Sequence, residues 1–315
     1  MPSLTTHYIF ADMVYKKLDK NIKNTIDNDI YLTFSQSHDY LYYSLNKKIK
    51  TLGSIGHHRK TQDYLINIVK NIIDNNLQDN KECLAYLYGS ITHYCLDSVC
   101  HPYIFYKTGT YYKDKPDHHK YRGQHTHIEK QLDAFYYEKY FHKKYHKANV
   151  SKEIIKTYKL PNPLKELITK VYKETYNEDN LGNIYVKSIL ESKLITSLVT
   201  NDRFGIKYYI LKFLNTFTHS HPEYYSSYVK EPIPSYLNEE RKEWNHPCDL
   251  NEKYNYSFDD LINISEKKCL EIINKCHECI FNNKDINKLK KYIPDVDYAN
   301  GYLVSDDRVM KYFEY

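Results

Sequence analysis

The sequence predicts an all-α protein, folded as a single multi-helix domain over residues 1–315. Three observations favour this fold class. Apolar residues recur at three- and four-residue intervals through many long segments, which is the spacing of one helix face. The sequence has no convincing alternation of apolar and polar residues, the pattern that would indicate strands. Only 8 glycines and 10 prolines occur in 315 residues, too few for a turn-rich β architecture.

Four helices are predicted in the first half of the chain. Residues 6–18 and 60–75 each carry an apolar stripe beside charged positions, so each can pack one face on a core. Residues 81–101 are apolar nearly all round, which is typical of a central buried helix, and Pro102 is expected to end it. Residues 125–145 form another strongly periodic segment.

Four more helices are predicted in the second half, and we expect them to pack on the N-terminal ones. Ser257 can begin the last of them because its hydroxyl can accept a hydrogen bond from a first-turn amide, and Asp260 suits the positive end of that helix. Two stretches without this periodicity, roughly 106–124 and 218–256, are predicted as long loops. The four helices cover residues 163–176, 184–200, 204–218 and 257–281.

Composition narrows the class of protein. The formal net charge is +5 with both signs interspersed, so the charges are expected to form solvated helix faces rather than a surface for polyanions. No run of eighteen apolar residues indicates a membrane-spanning helix and no leader indicates secretion, so we expect a cytoplasmic protein. The seven irregularly spaced cysteines favour reduced thiols. No motif specific for nucleic acid occurs, and the oligomeric state is not indicated.

The central helix carries the first candidate site. His93, Asp97 and His101 are four residues apart, so they share one face of a helix. A carboxylate among apolar neighbours costs free energy unless it is paired or coordinates a cation. Two imidazoles and a carboxylate are a ligand set suited to zinc. A hydrogen-bonded core pair of histidine and aspartate is the alternative that these three residues alone leave open.

The following helix adds a second set at the same spacing. His125 and Glu129 are four residues apart and can chelate one metal from adjacent turns. Asp133, one turn further on, is expected to support an imidazole through a hydrogen bond. His127 points to another side of this helix and is a weaker candidate. The two acid–imidazole helices together predict a metal site better than either pair alone.

Further candidate ligands lie upstream. His7 falls in the first predicted helix, Asp39 in a polar loop, and His57 and His58 follow a flexible segment. Each of these residues alone is more typical of a structural or exposed position. The sequence does not choose between the adjacent His57 and His58, and we favour His57. The argument for a site depends on all the candidates occurring in one half of the chain.

Taken in order, these candidates resemble the ligand pattern of the zinc-dependent phospholipases C. That family includes the bacterial phosphatidylcholine-preferring enzymes and the catalytic domain of clostridial alpha-toxin, and it shares an all-helical fold with the fungal single-strand-specific nucleases. The pattern covers about residues 1–135. The segments MPSLTTHYIFAD, HYCLDSVCHPYIFY and WNHPCDLNEKYNYSFDDL are most similar to intracellular bacterial members of unassigned substrate. We therefore expect a metal-site half, about residues 1–145, supported by helices over about 150–315.

The resemblance implies a ligand role for each matched residue. Asp39, His57 and His93 would hold one zinc. Asp97 would bridge that zinc to a neighbouring one, which His7 also binds. Together with a further ligand set of His101, His125 and Glu129, the family implies a site of two or three zinc ions.

Two departures from the secreted enzymes affect this expectation. Those enzymes use the amine and carbonyl of a mature N-terminal Trp as ligands, whereas this sequence begins Met1-Pro2, so the metal completed there is expected to be weak, absent or differently bound. They also place a histidine six residues after the bridging aspartate, where this chain has Tyr103. His101, four residues on, is the candidate here, and with His125 and Glu129 it would hold the further zinc.

The function that the resemblance implies is zinc-dependent hydrolysis of a phosphoester, phospholipase C-like, at a multinuclear metal site. Asp97 as the bridging ligand, and Asp39 as ligand, general base or both, are the expected catalytic residues. The substrate would be a phospholipid or another phosphodiester, and a membrane surface is a further candidate partner. The alternatives are a nuclease-like phosphodiesterase, a non-enzymatic metal-binding or scaffold protein with an incomplete site, and a helical interaction protein without metal.

Overall fold

The computed structural model describes residues 4–282 and 284–314. Its secondary structure in these ranges is helical apart from one small antiparallel sheet and an isolated bridge, which confirms the predicted all-α class. Short 3₁₀ segments and one π-turn, Thr196–Thr200, connect the helices. The helices are α1 (Leu4–Lys17), α2 (Lys20–Asn24), α3 (Asn28–Phe34), α4 (Asp39–Tyr42), α5 (Lys47–His58), α6 (Thr61–Asp74), α7 (Lys81–Thr108), α8 (Gln124–Phe141), α9 (Val150–Glu153), α10 (Asn162–Tyr176), α11 (Leu181–Ile195), α12 (Ile206–Thr218) and α13 (Phe258–Phe281), and the strands are β1 (Trp244–His246) and β2 (Asp249–Tyr254).

Helix α7 forms the centre of the fold. It packs most extensively on α3 and α13 and also contacts α1, α6 and α8. Every residue from Cys83 to Ser98 is buried, as expected for a helix that is apolar nearly all round. Helix α7 therefore carries His93 and Asp97 into the core, away from bulk solvent.

Helix α7 is longer than predicted. Pro102 was expected to end it, but the helix continues to Thr108. Pro102 has no N–H to donate to the carbonyl of Ser98. The backbone of Gly301 packs against that carbonyl, so closely that a Cβ added to Gly301 would lie 2.5 Å from the carbonyl oxygen. Pro102 and Tyr103 are both buried, so packing outweighs the lost hydrogen bond.

The segment between α3 and α6 is helical where the sequence indicated loops. Asp39 begins the short helix α4, and residues 52–56, expected to be flexible, lie within α5. Gly56 allows close packing rather than flexibility, because a Cβ at this position would lie only 2.7 Å from the ring of His38. The glycine lets α5 approach α4, which brings His57 towards Asp39.

The predicted loop over residues 218–256 contains the small sheet. Strand β1 pairs antiparallel with β2, Trp244 lies opposite Tyr254, and the register shifts after Asn245. Strands of three and six residues are too short to show a clear alternation in the sequence. The ring of Trp244 contacts that of Tyr103 with centroids 5.2 Å apart, so the sheet covers one end of α7.

The later helices do not all pack on the N-terminal ones, contrary to the expectation from sequence. Helix α13 lies along α7, but α12 packs mainly on the 3₁₀ segment Pro222–Tyr225 and contains no buried residue. Within the described part of the chain, no helix combines the length and the apolar character needed to cross a membrane.

Candidate metal centre

Eight candidate ligands from five helices converge in the structure. They are carried by α1, α4, α5, α7 and α8, and six of them are buried. They form three groups, and within each group the ligand atoms all lie within 4.8 Å of one another. The groups are His7, His93 and Asp97; Asp39, His57 and His93; and His101, His125 and Glu129.

Asp97 lies where the three groups meet. Its Oδ1 is 3.0 Å from Nε2 of His7. Its Oδ2 is 3.4 Å from Nε2 of His93 and 3.8 Å from Nε2 of His57. The same oxygen is 3.7 Å from Nδ1 of His101. One carboxylate is therefore within reach of four imidazoles, which is the arrangement that a shared ligand requires.

The second group joins α4, α5 and α7. Oδ1 of Asp39 lies 2.9 Å from Nε2 of His57, and its Oδ2 lies 3.7 Å from Nδ1 of His93. The Nε2 atoms of His57 and His93 are only 3.2 Å apart. Asp39 and His93 are fully buried, so bulk water does not offset the charge of this carboxylate.

The third group lies nearer the surface. Nε2 of His125 is 3.1 Å from Oε1 of Glu129, and Nε2 of His101 is 3.6 Å from the same oxygen. The four-residue spacing of His125 and Glu129 puts them on one face of α8, as predicted. The side chain of His125 is 27% exposed, so this group can be reached from solvent.

Backbone carbonyls fix the orientation of three of the imidazoles. An imidazole whose Nδ1–H donates to a carbonyl presents the lone pair of its Nε2 to the cluster, which is the form that ligates a metal. The three contacts between Nδ1 and a carbonyl oxygen are His57 to Gly53 at 2.7 Å, His93 to Ser35 at 3.2 Å and His101 to Tyr298 at 3.1 Å.

The polar atoms of the cluster are unbalanced unless a cation lies among them. When both rings are neutral and both Nδ1 atoms donate to carbonyls, the Nε2 lone pairs of His57 and His93 face each other, and His57 donates to Asp39 only when its ring is protonated. Both oxygens of Asp39, one of Asp97 and one of Glu129 are buried without a hydrogen-bond partner among the described residues. A buried acceptor without a donor destabilises the fold, because it has lost its hydrogen bonds to water. Zinc would satisfy these atoms, since it binds imidazole nitrogen and carboxylate oxygen in the same site. The donor set therefore fits zinc.

Burial and the imidazoles act in opposite directions on the three carboxylates. Burial would raise the pKa of Asp97, but the surrounding imidazoles, led by His101, hold it well below its ordinary value. Burial would also raise the pKa of Glu129, and His125 and His101 lower it instead. Asp39 has fewer such neighbours, and burial raises its pKa. Asp97 and Glu129 are thus held as anions, the form that binds metals.

Six of the eight candidate ligands line a pocket of about 160 Å³ that is partly open to solvent, and His7 and His93 lie behind them. Pockets that enclose a drug-sized ligand occupy roughly 300–1,000 Å³, so this one admits only part of a larger substrate. Aromatic side chains form its walls beside the candidate ligands. The lining residues are Asp39, Tyr42, His57, His58, Asp97, His101, Phe105, His125, Glu129, Tyr298 and Ala299.

The structure distinguishes the adjacent histidines His57 and His58, and it shows how His101 and Tyr103 are placed. His57 lies in the cluster, whereas the neighbouring His58 is 44% exposed and its Nδ1 lies 3.0 Å from a carboxylate oxygen of Asp297. His101 faces Asp97 and Glu129, whereas Tyr103 is fully buried and its hydroxyl donates to a backbone carbonyl.

Asp133 supports a helix start instead of the imidazole expected from its spacing. One of its oxygens accepts hydrogen bonds from the backbone N–H and the hydroxyl of Thr6, and the other accepts from Tyr145. It thereby ties the first turn of α1 to α8 and fixes the segment that carries His7. His127 faces the 3₁₀ segment beside α12 and belongs to none of the three ligand groups.

Tyr298 is a residue of the site that the sequence did not reveal. Its carbonyl accepts from His101 and its backbone N–H donates to the carbonyl of His57 at 2.9 Å. Its ring packs edge-on against His57 and His93, with centroids 5.4 Å and 5.7 Å away. It is one of 36 tyrosines and lies far along the chain from these histidines, so neither spacing nor composition could identify it.

Comparison with known proteins agrees with this geometry. A family model described as zinc dependent phospholipase C matches residues 6–182, which include all eight candidate ligands. Neither a curated protein nor a solved structure matches the chain. Met1-Pro2, which stands where the secreted enzymes have their N-terminal ligand, lies outside both the matched and the described residues. Because the match covers more than half of the 315 residues and the ligand groups converge, this chain belongs to the zinc-dependent phospholipase C family.

Proposed function

We propose that this protein is a zinc-dependent phosphodiester hydrolase of the phospholipase C type. The observation that supports the proposal most directly is the convergence of three ligand groups around Asp97, with members of each group on the lining of one pocket. A hydrogen-bonded polar core would pair its buried acceptors with donors, whereas here four carboxylate oxygens have none among the described residues. A metal-free interaction protein gives no reason for that arrangement.

Two or three zinc ions are the complement that we propose. Asp39, His57 and His93 would hold one ion, and Asp97 would be shared with a neighbour at His7. The remaining group would hold the ion nearest the pocket mouth. Zinc held in such a site polarises a phosphoryl oxygen and lowers the pKa of bound water towards about 7. The group at the pocket mouth is His101, His125 and Glu129.

The protein's own side chains contribute orientation and proton transfer. Asp39 is our candidate general base, because it offers two buried carboxylate oxygens at the site, of which one would ligate while the other would accept the proton of the attacking water. The carbonyls of Gly53, Ser35 and Tyr298 hold the imidazoles in place as charge develops on the phosphoryl group.

The pocket supports a phospholipid as the substrate class. Its volume of about 160 Å³ suits a phosphodiester with a small substituent, while acyl chains would remain outside. The rings of Tyr42, Phe105 and Tyr298 would displace water from around the reacting group.

Metal analysis combined with turnover tests this function. The protein, purified without a histidine tag, is analysed for bound metals and assayed on bis-p-nitrophenyl phosphate before chelation, after chelation and after zinc is restored. We expect two or three zinc ions per chain, loss of turnover on chelation and recovery with zinc. Parallel assays on phosphatidylcholine in detergent micelles and on single-stranded DNA separate a phospholipase from a nuclease.

Each other outcome assigns a different role. Stoichiometric zinc without turnover of any of the three substrates would favour a non-enzymatic metal-binding or scaffold protein. Turnover that persists without metal would overturn the proposed chemistry. Cleavage of DNA with no cleavage of phosphatidylcholine would keep the metal site and overturn the substrate class.

A further inference from the structure

The apolar stripe of α12 faces solvent instead of the core. Its large apolar residues recur at three- and four-residue spacing, which normally marks a buried helix face. Their exposed fractions nevertheless lie between 44% and 72%. These residues, which we call the α12 face, are Ile206, Tyr209, Ile210, Phe213, Leu214 and Phe217.

Polar contacts at both ends hold α12 in this orientation. At its start, the carboxylate of Asp202 accepts from the backbone N–H groups of Lys207 and Tyr208, the latter at 2.7 Å. At its end, Oδ1 of Asn215 accepts from the backbone N–H of His221 at 2.8 Å. These hydrogen bonds fix both ends of α12, and in this orientation the stripe faces outward.

Basic side chains flank the α12 face along the chain. Residues 192–218 contain four basic side chains, and their single acidic residue, Asp202, is buried as the cap just described. Exposed Leu194, Leu198 and Phe204 extend the apolar character along the preceding segment. The basic residues are Lys193, Arg203, Lys207 and Lys212.

We propose that the α12 face docks on the surface of an anionic phospholipid bilayer. An amphipathic helix with aromatic and aliphatic side chains on one face and flanking lysines is suited to the boundary between headgroups and acyl chains. A second copy of the chain is a poorer occupant, because a two-fold contact through this face would bring together two surfaces that each carry Arg203, Lys207 and Lys212.

The face is connected to the metal centre through packed elements. Helix α12 packs on the 3₁₀ segment Pro222–Tyr225, which in turn packs on α8. There the ring of Tyr224 lies 4.4 Å from that of His127, two residues along α8 from His125. The relevance of docking to catalysis rests on the proposed function, but docking itself is measured without turnover.

Vesicle flotation with the full chain tests the proposal. The vesicles contain phosphatidylcholine alone, or phosphatidylcholine with about 30 mol% phosphatidylserine. We expect binding to the anionic vesicles that weakens as salt approaches ~0.5 M. Replacing two exposed rings, Phe213→Ser with Phe217→Ser, should reduce the partition coefficient at least about tenfold. The matched control, Leu45→Ser with Val309→Ser, alters equally exposed apolar residues elsewhere and should bind as the wild type.

Three results would overturn docking on lipid. The first is wild-type protein that floats with neither vesicle, and the second is a Phe213→Ser/Phe217→Ser protein that floats as well as wild type. The third is a stable dimer, seen by light scattering, that this double variant converts to monomer. The double variant should keep its zinc and its turnover of bis-p-nitrophenyl phosphate, whereas Asp97→Asn should lose both and still float. Failure of docking and failure of the hydrolase function are thereby distinguished.

Discussion

The carboxylate of Asp97 connects the three ligand groups at the scale of single residues. Two helical turns of α7 align it with His93 and His101, and the fold then adds His7 and His57 from other helices. Surrounding imidazoles, with His101 foremost, overcome burial and keep its pKa low, so it is an anion at the centre of the cluster. Neutralising this one group should therefore affect all the proposed metal positions.

Asp97→Asn is the first prediction. Asparagine keeps the shape of the side chain but removes the shared negative charge, so most zinc should be lost and turnover should fall at least ~100-fold. Metal content per chain and turnover with saturating zinc are the measurements. Tyr136→Phe serves as control, because its hydroxyl on α8 donates to Asp259 and belongs to no ligand group, and it should change neither quantity more than about twofold. An Asp97→Asn protein that keeps its full zinc content would contradict the proposed bridging role of Asp97.

The adjacent histidines of α5 provide a second prediction. His57→Gln should lower the zinc content, because Nε2 of His57 lies 2.9 Å from Asp39 within the cluster. His58→Gln should keep the full zinc content, since His58 pairs with Asp297 and belongs to no ligand group. Elemental analysis of the two variants side by side is sufficient, and equal zinc loss in both would contradict the assignment.

At the scale of elements, close helix contacts set the position of ligands. Gly56 lies one residue before His57, in the turn of α5 that faces the ring of His38. His38 is itself fixed by a contact of 2.7 Å between its Nδ1 and the hydroxyl of Tyr172. The spacing between α4 and α5 therefore depends on the missing side chain at this position.

Gly56→Ala tests that contact. Alanine normally gains about 1 kcal/mol in a helix, but here its Cβ would lie 2.7 Å from the buried ring of His38. Overpacking of this kind costs roughly 1–3 kcal/mol, so we expect a net loss in the free energy of unfolding. Lys50→Ala, at an exposed position of the same helix, should change it by less than about 0.5 kcal/mol. Chemical denaturation measures both, and a more stable Gly56→Ala protein would show that α5 and α4 can separate at no cost.

Tyrosines provide the largest side chains in the core of the whole molecule. Among the described residues, the twelve largest fully buried side chains are all tyrosines. Tyr64 and Tyr86 join their hydroxyls at 2.9 Å, and Tyr31 donates to a backbone carbonyl, so these polar atoms are satisfied inside the protein. The core thus depends on phenols that remain protonated.

Alkaline titration gives a prediction at this scale. Burial raises the pKa of Tyr31, Tyr86 and Tyr172 well above the ordinary value of about 10. Their contribution to stability is fully present below pH ~10 and is lost as the pH rises from there towards the folded-state values. Exposed tyrosines should ionise first, and the buried ones only as helical circular dichroism disappears. Tyrosinate absorbance and circular dichroism followed together test this, and full ionisation with intact helices would contradict it.

Local spacing along the chain was enough to predict the fold class and to group five of the eight candidate ligands. His93, Asp97 and His101, like His125 and Glu129, share a helix face because of the helical repeat alone. Amphipathic stripes likewise indicated the principal helices. These features are properties of neighbouring residues, so the sequence by itself determines them.

Tertiary structure decided the features that depend on contacts between distant segments. It placed His57 rather than His58 in the cluster, brought the backbone of Tyr298 to two ligands, and carried α7 past Pro102. It also left the stripe of α12 in solvent, although the same periodicity in α6 and α13 is buried. Periodicity shows which residues share a face, but whether another helix, a cation or solvent covers that face depends on packing between segments far apart in the chain.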